Sequence, residues 1–153
     1  MSLEAAVDST CLIGLERIQQ LDLLPKLFTH VYAPPVVLAE LGHSVEWLIV
    51  REVSNDSLLR ALSTQLGAGE SAVIALATEI QNAVAILDDK KARRVAREMG
   101  LRMMGTIGVL VKAKRDGVLS QLRPLLQDLD RVGFRLSAEL HREALRLAGE
   151  EGS

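Results

Sequence analysis

Carboxylates collect at four places in this 153-residue chain, each on or beside a predicted strand end or helix. Asp8 follows the apolar run Ala5-Ala6-Val7, and Asp88-Asp89 follow the longer run Ala83 to Leu87. Glu40 lies on a helical segment after a pair of prolines, and Glu70 opens another helix after Gly67-Ala68-Gly69. Unpaired carboxylates brought together repel one another and resist ionisation, a cost that a bound cation reverses. Oxygen ligands without a Cys or His cluster suit Mg²⁺ or Mn²⁺ rather than zinc. One or two such ions can activate a water and stabilise the leaving oxygen in phosphodiester hydrolysis. The plainer alternative is that Asp8, Asp88 and Asp89 cap helices. Glu70 would then favour a helix dipole, and Glu40 would be solvated.

A basic run follows directly. Lys90, Lys91, Arg93, Arg94 and Arg97 lie on a segment whose apolar residues are Ala92, Val95, Ala96 and Met99. If those four are buried, the basic residues project outward as a ridge beside the acids. Such a ridge would hold a phosphate backbone while the cation does chemistry; the alternative is a solvated helix face. Lys112, Lys114 and Arg115 could extend it. Aromatic residues are only 3%, so stacking platforms for single-stranded bases are nearly absent.

The elements that must position these residues follow from the apolar pattern. Strands are predicted at Ala5–Val7, His30–Ala33, Trp47–Val50, Ala83–Leu87 and Arg102–Met104, with helices between them. Pro35 suits the first turn of a helix over Val36–Leu41, and Gly42 suits its stop. Glu70 opens an amphipathic helix with Val73, Ile74, Ala77 and Ile80 on one stripe. Ile107 to Val111 is apolar all round and reads as a buried helix. The tail reads as two helices, one carrying Leu122, Leu125, Leu126 and Leu129, the other Leu140, Ala144, Leu147 and Ala148. Strands alternating with helices argue for an α/β fold with a parallel sheet. Ligands then bind beyond the carboxyl ends of the strands, where two of the predicted strands end in Asp.

Composition narrows the classes further. Hydrophobic residues at 48% and charged residues at 25% exclude a disordered chain. Net charge is −2, so a polyanion would need a local patch. A single cysteine, Cys11, excludes an internal disulfide framework and suggests a reducing, cytoplasmic setting. Cys11 itself reads as a small buried hydrophobe. The apolar runs fall short of the ~20 residues that span a bilayer, and Glu4 and Asp8 make a signal peptide unexpected. We expect one domain over 1–153, with a core at about 5–117 and a helical extension at about 118–149.

Three segments taken together resemble PIN domains, small metal-dependent nucleases. Val7-Asp8-Ser9-Thr10-Cys11-Leu12-Ile13 resembles their opening, Pro35 to Leu41 with Glu40 their second acidic motif, and Ala85-Ile86-Leu87-Asp88-Asp89 their third. Gly69-Glu70-Ser71-Ala72, Gly105-Thr106-Ile107-Gly108 and Phe134-Arg135-Leu136-Ser137 are similar to an uncharacterised, toxin-like branch. The resemblance implies a three-layer sandwich whose five-stranded parallel sheet has the order 3-2-1-4-5. It implies that Asp8, Glu40 and Asp88 bind Mg²⁺ or Mn²⁺, that Ser9 and Thr10 orient Asp8 or a bound water, and that RNA is the substrate. A fourth carboxylate is usual after the fifth strand; here Thr106 stands in that place, and Glu70 and Asp89 are acids that could compensate. The resemblance further implies a toxin with a small antitoxin partner, and a homodimer. The alternatives are a weakened relative that binds RNA or a protein without cutting, and an interaction module whose acids are only caps. A phospho-acceptor receiver domain fits poorly, because its acidic pair lies early in the chain and a Lys follows its fifth strand.

Overall fold

The computed structural model describes residues 3–150. In chain order the elements are β1 (Glu4–Val7), α1 (Ser9–Arg17), α2 (Leu23–Leu27), β2 (Val31–Ala33), α3 (Pro35–Leu41), β3 (Leu48–Val50) and α4 (Asp56–Ser63). They continue as α5 (Ala68–Glu79), β4 (Ala83–Ile86), α6 (Lys90–Glu98), β5 (Arg102–Met104), α7 (Thr106–Arg115), α8 (Arg123–Arg131) and α9 (Ala138–Leu147). The five strands form one parallel sheet in the order β3-β2-β1-β4-β5. Helices cover it, as expected for this α/β class.

The central strands are short and made of small or β-branched residues. Ala5, Ala6 and Val7 of β1 and all of Ala83–Ile86 in β4 are buried. A strand covered on both faces has no polar alternation, which is why these segments read as unbroken apolar runs. Val7 pairs with Ile86, so β1 and β4 end level with each other. The edge strand β3 is different, with Val50 44% exposed.

Local chemistry sets the helix ends. Asn55 Oδ1 accepts from the Leu58 N–H (3.0 Å) and starts α4. Pro35 opens α3, and Gly42 ends it with φ of 91°, a left-handed position that suits glycine.

Helix α5 departs from the sequence expectation. It begins at Ala68, two residues before the Glu70 expected to open it, so Gly69 is helical. It is also not amphipathic: every residue from Ser71 to Ala77 is buried. Its inner side rests on β1 and β4, and α4 packs across it from outside, so both faces meet protein. Met99 also departs, being 37% exposed at the end of α6. Helix α7 buries Val109, Leu110, Val111 and Ala113, as the all-round apolar pattern predicts.

The tail helices close the same core. Leu125, Leu126 and Leu129 of α8 are buried, and the Phe134 ring lies against Gly14 of α1, where a Cβ would stand 3.1 Å from it. Helix α9 turns Ala144, Leu145 and Ala148 inward, leaving Leu140 and Leu147 exposed at 41% and 43%. The predicted stripe is therefore rotated. Two tethers hold this orientation. The His141 ring meets Asp130 Oδ2 at 2.7 Å, and Glu150 accepts from the Leu122 N–H at 2.6 Å.

Leu12 of α1 is fully buried among the large core side chains. Leu12→Ala is expected to cost about 2–5 kcal/mol, the transfer loss plus a partly collapsed cavity. Urea denaturation with an unchanged m-value checks this.

Candidate active site

The carboxyl edge of the sheet carries the acidic residues. Asp8 leaves β1, with its N–H still bonded to Ile86 O in β4 (3.1 Å). It is 5% exposed and caps α1, its Oδ1 accepting from the Ser9 N–H at 2.8 Å. Ser9 is itself buried, and its hydroxyl donates to Glu40 Oε1 at 2.9 Å. One serine thus ties the first acid, through its backbone, to the second, through its side chain.

Asp88 lies two residues beyond β4 and is gripped from the next crossover. Thr106 N–H donates to its Oδ1 (2.8 Å) and Thr106 Oγ1 donates to its Oδ2 (2.7 Å). Thr106 is fully buried at the start of α7. At the place expected for a fourth carboxylate, this chain has a neutral clamp that fixes the third. Cys11 lies beneath it as a fully buried thiol, pushed above its ordinary pKa chiefly by burial and then by the Asp88 charge.

Gly69, in the first turn of α5, completes the enclosure. A Cβ there would stand 2.9 Å from Glu40 Oε1 and 3.0 Å from Asp8 Oδ1. Gly105 plays the same part on the other side, where a Cβ would stand 2.8 Å from Asp88 Oδ1. The sequence places the first glycine just ahead of the helix that Glu70 was expected to open and the second just after the predicted strand Arg102–Met104. Their proximity to two candidate acids was the available signal, but it becomes specific only when α5 and α7 are placed in space.

Electrostatics unites the cluster. Burial raises the Asp8 carboxyl to about 6, the Ser9 N–H opposes the shift, and the charges of Glu70, Glu40 and Asp88 raise it further. None of these four acids has an ion-pair partner among the described residues. Among the same residues, no group of three or more His, Cys, Asp or Glu is gathered tightly enough to hold a metal ion as it stands. The donor set nevertheless fits a hard divalent cation. It is all oxygen, of one charge sign, with lone pairs left on each carboxylate after the bonds to Ser9 and Thr106. A cation would offset the burial cost and the repulsion that together raise the Asp8 carboxyl.

The other candidates are placed less centrally. Asp89 is exposed and caps α6, its Oδ2 accepting from the Ala92 N–H at 2.9 Å. Asp89→Ala should cost about 1 kcal/mol of stability, the usual loss of a cap, without weakening Mn²⁺ binding; a melt and a titration of the same sample check both. Thr10 is exposed and lines a groove with Ile13, Arg17 and Phe134. Lys90, Lys91, Arg94 and Arg97 are exposed on α6, with Arg94 paired to Glu98 at 3.8 Å. Arg93 does not project outward with them: it is half-buried and its Nε is sealed from solvent.

Among the described residues no helix is long and apolar enough to cross a membrane. No curated protein matches the chain. A family model does: DUF3368, a PIN domain, matches residues 4–150. That span takes in every strand of the 3-2-1-4-5 sheet and each acid at its carboxyl edge, and on this ground the chain belongs to the PIN-domain family, a nuclease-type fold.

Proposed function

We propose that this protein is a Mg²⁺- or Mn²⁺-dependent ribonuclease that hydrolyses RNA phosphodiesters at the acidic edge. The observation that carries the reading is Asp8: a buried carboxyl pushed up to about 6 beside three further acids, with no cation paired to any of them among the described residues. Burying one carboxyl beside like charges is costly. Their joint placement at the ligand-binding edge of a parallel sheet favours a site over a set of caps.

Asp8, Glu40 and Asp88 are the residues that would hold the cation, with Glu70 beside them. When bound, a divalent ion lowers the pKa of a water and neutralises charge on the leaving oxygen. The chain's own part is to hold the donors still. Ser9 fixes Asp8 and Glu40 together, and Thr106 fixes Asp88 through two bonds. Lys90, Lys91, Arg94 and Arg97 would draw the phosphate backbone along α6 to this edge.

A toxin role in the cytoplasm, held in check by a small antitoxin protein at the same acidic edge, is the cellular setting we favour. Leu140 and Leu147, the exposed apolar residues of α9, are the face we would assign to a homodimer. Thr106, uncharged at the fourth-acid place, favours a second reading: a weakened relative that binds RNA without cutting it.

The test is cleavage of an end-labelled structured RNA in Mg²⁺, Mn²⁺ and EDTA. Cutting in either metal that stops in EDTA is expected. Mn²⁺ and RNA binding without cutting would select the second reading. No metal binding at all would return the acids to helix caps.

A further inference from the structure

Arg93 sits one turn into α6, and helical side chains tilt back towards the amino end of their helix. That tilt carries it towards Asp88, away from the solvated face of its neighbours. A Cβ on Gly105 would stand 2.8 Å from Asp88 Oδ1 and 3.7 Å from Arg93 Nη1, so guanidinium and carboxylate flank the same bare backbone. Proximity has not produced a pair. Both Asp88 oxygens accept from Thr106, and the Arg93 side chain has no ion-pair or hydrogen-bond partner among the described residues. Its Nε is buried with nothing to donate to. A guanidinium held half-buried beside an acid it does not pair with is a costly arrangement for a residue whose only task is solubility. Its planar fork matches two oxygens of a phosphate.

We propose that Arg93 is a ligand for a phosphate of the RNA strand, positioned beside Asp88 at the mouth of the acidic edge, and that it is set apart from the outer basic residues in this role. The proposal rests on the ribonuclease reading and deepens it, by giving one named cation the substrate's phosphate. Thr106 supports this arrangement: it holds Asp88 through two bonds of its own, and the Arg93 donors stay open to an incoming anion.

The experiment is fluorescence anisotropy of a fluorescein-labelled single-stranded RNA in Ca²⁺, with binding rather than turnover as the readout. Wild type, Arg93→Ala, Arg93→Lys and Arg142→Ala are compared over a salt series; Arg142 is an exposed residue of α9. The expected result is that Arg93→Ala weakens Kd by about tenfold to a hundredfold, as for loss of a charged hydrogen bond. The slope of log K against log salt should fall by about 0.7, one phosphate contact on a single strand. Arg93→Lys should keep the slope but recover only part of the affinity, since it restores charge without the fork. Arg142→Ala should bind within about twofold of wild type, as an exposed charge on a helix that carries none of the candidate site residues. Wild-type binding that is unchanged in Arg93→Ala, with the slope intact, overturns this proposal alone. Absence of RNA binding by the wild type overturns the ribonuclease reading and this proposal with it.

Discussion

Asp8→Asn is expected to be more stable than the wild type at pH 7 without metal, and to cleave RNA in Mn²⁺ at least about a thousandfold more slowly, a loss of about 4 kcal/mol of transition-state stabilisation. The two effects share one cause. Burial and three neighbouring acids raise the folded-state Asp8 from 3.8 to about 6. Between those values the native state keeps a proton that the unfolded chain has released. Stability therefore falls as pH rises from about 4 to about 6, and the loss is complete above that window. The full effect at neutral pH is about 1–3 kcal/mol, taking one pKa unit as 1.36 kcal/mol. Asparagine removes the charge and keeps an oxygen to accept from the Ser9 N–H, so the α1 cap survives. Melts at pH 4.5 and 7.5 in EDTA should show the variant gaining on the wild type with rising pH. Mn²⁺ should then stabilise the wild type and leave the variant almost unmoved. A variant that melts below the wild type at pH 7.5 would contradict the electrostatic account of the site.

Gly69→Ala should separate function from stability in the opposite manner to a core change. The new Cβ would lie 2.9 Å from Glu40 Oε1 and 3.0 Å from Asp8 Oδ1, closer than carbon and oxygen can approach without something moving. Asp8 is buried and bonded to Ser9, whereas Glu40 is exposed on α3, so Glu40 is the group that yields. Its departure gives up the Ser9 hydroxyl bond, a loss of about 1 kcal/mol, and alanine in a helix recovers up to about 1 kcal/mol relative to glycine. Net stability should therefore stay within about 1 kcal/mol of wild type. Cleavage should fall by about a hundredfold, the scale set by about 1 Å of misplacement at a reacting centre. Parallel measurement of Tm and kcat/KM checks the split. Full activity in Gly69→Ala would show that Glu40 does not act from the position it holds here.

Part of this arrangement could be read from the residues. Ala5–Val7 and Ala83–Leu87 announce buried strands because both their faces meet helices, and each runs into an Asp at the edge where ligands bind. Gly42 marks a helix end because its left-handed backbone excludes most side chains. The sheet order, by contrast, came with the family resemblance; apolar periodicity does not say which strands are neighbours. The unbroken burial of Ser71 to Ala77 in α5 was hidden because α4, which packs on it, is a tertiary partner. The rotated face of α9 was hidden because its anchors lie far along the chain, Asp130 against His141 and Leu122 against Glu150. An Asp after a strand is the same letter whether it only caps a helix or also meets other acids, and the fold separates Asp89, bonded to Ala92 N, from Asp8, which caps α1 among its fellow acids. Arg93 was concealed in the same way, one basic residue in a run of five, distinguished by where α6 points it.

The most direct test of the central claim is the rate at which wild type and Asp8→Asn cut the same labelled RNA in Mn²⁺, with both proteins shown to be folded by their melts. The account predicts steady cutting by the wild type, none in EDTA, and at least about a thousandfold less by the variant. Equal cutting by the two proteins would place the chemistry outside the acidic edge and contradict the claim.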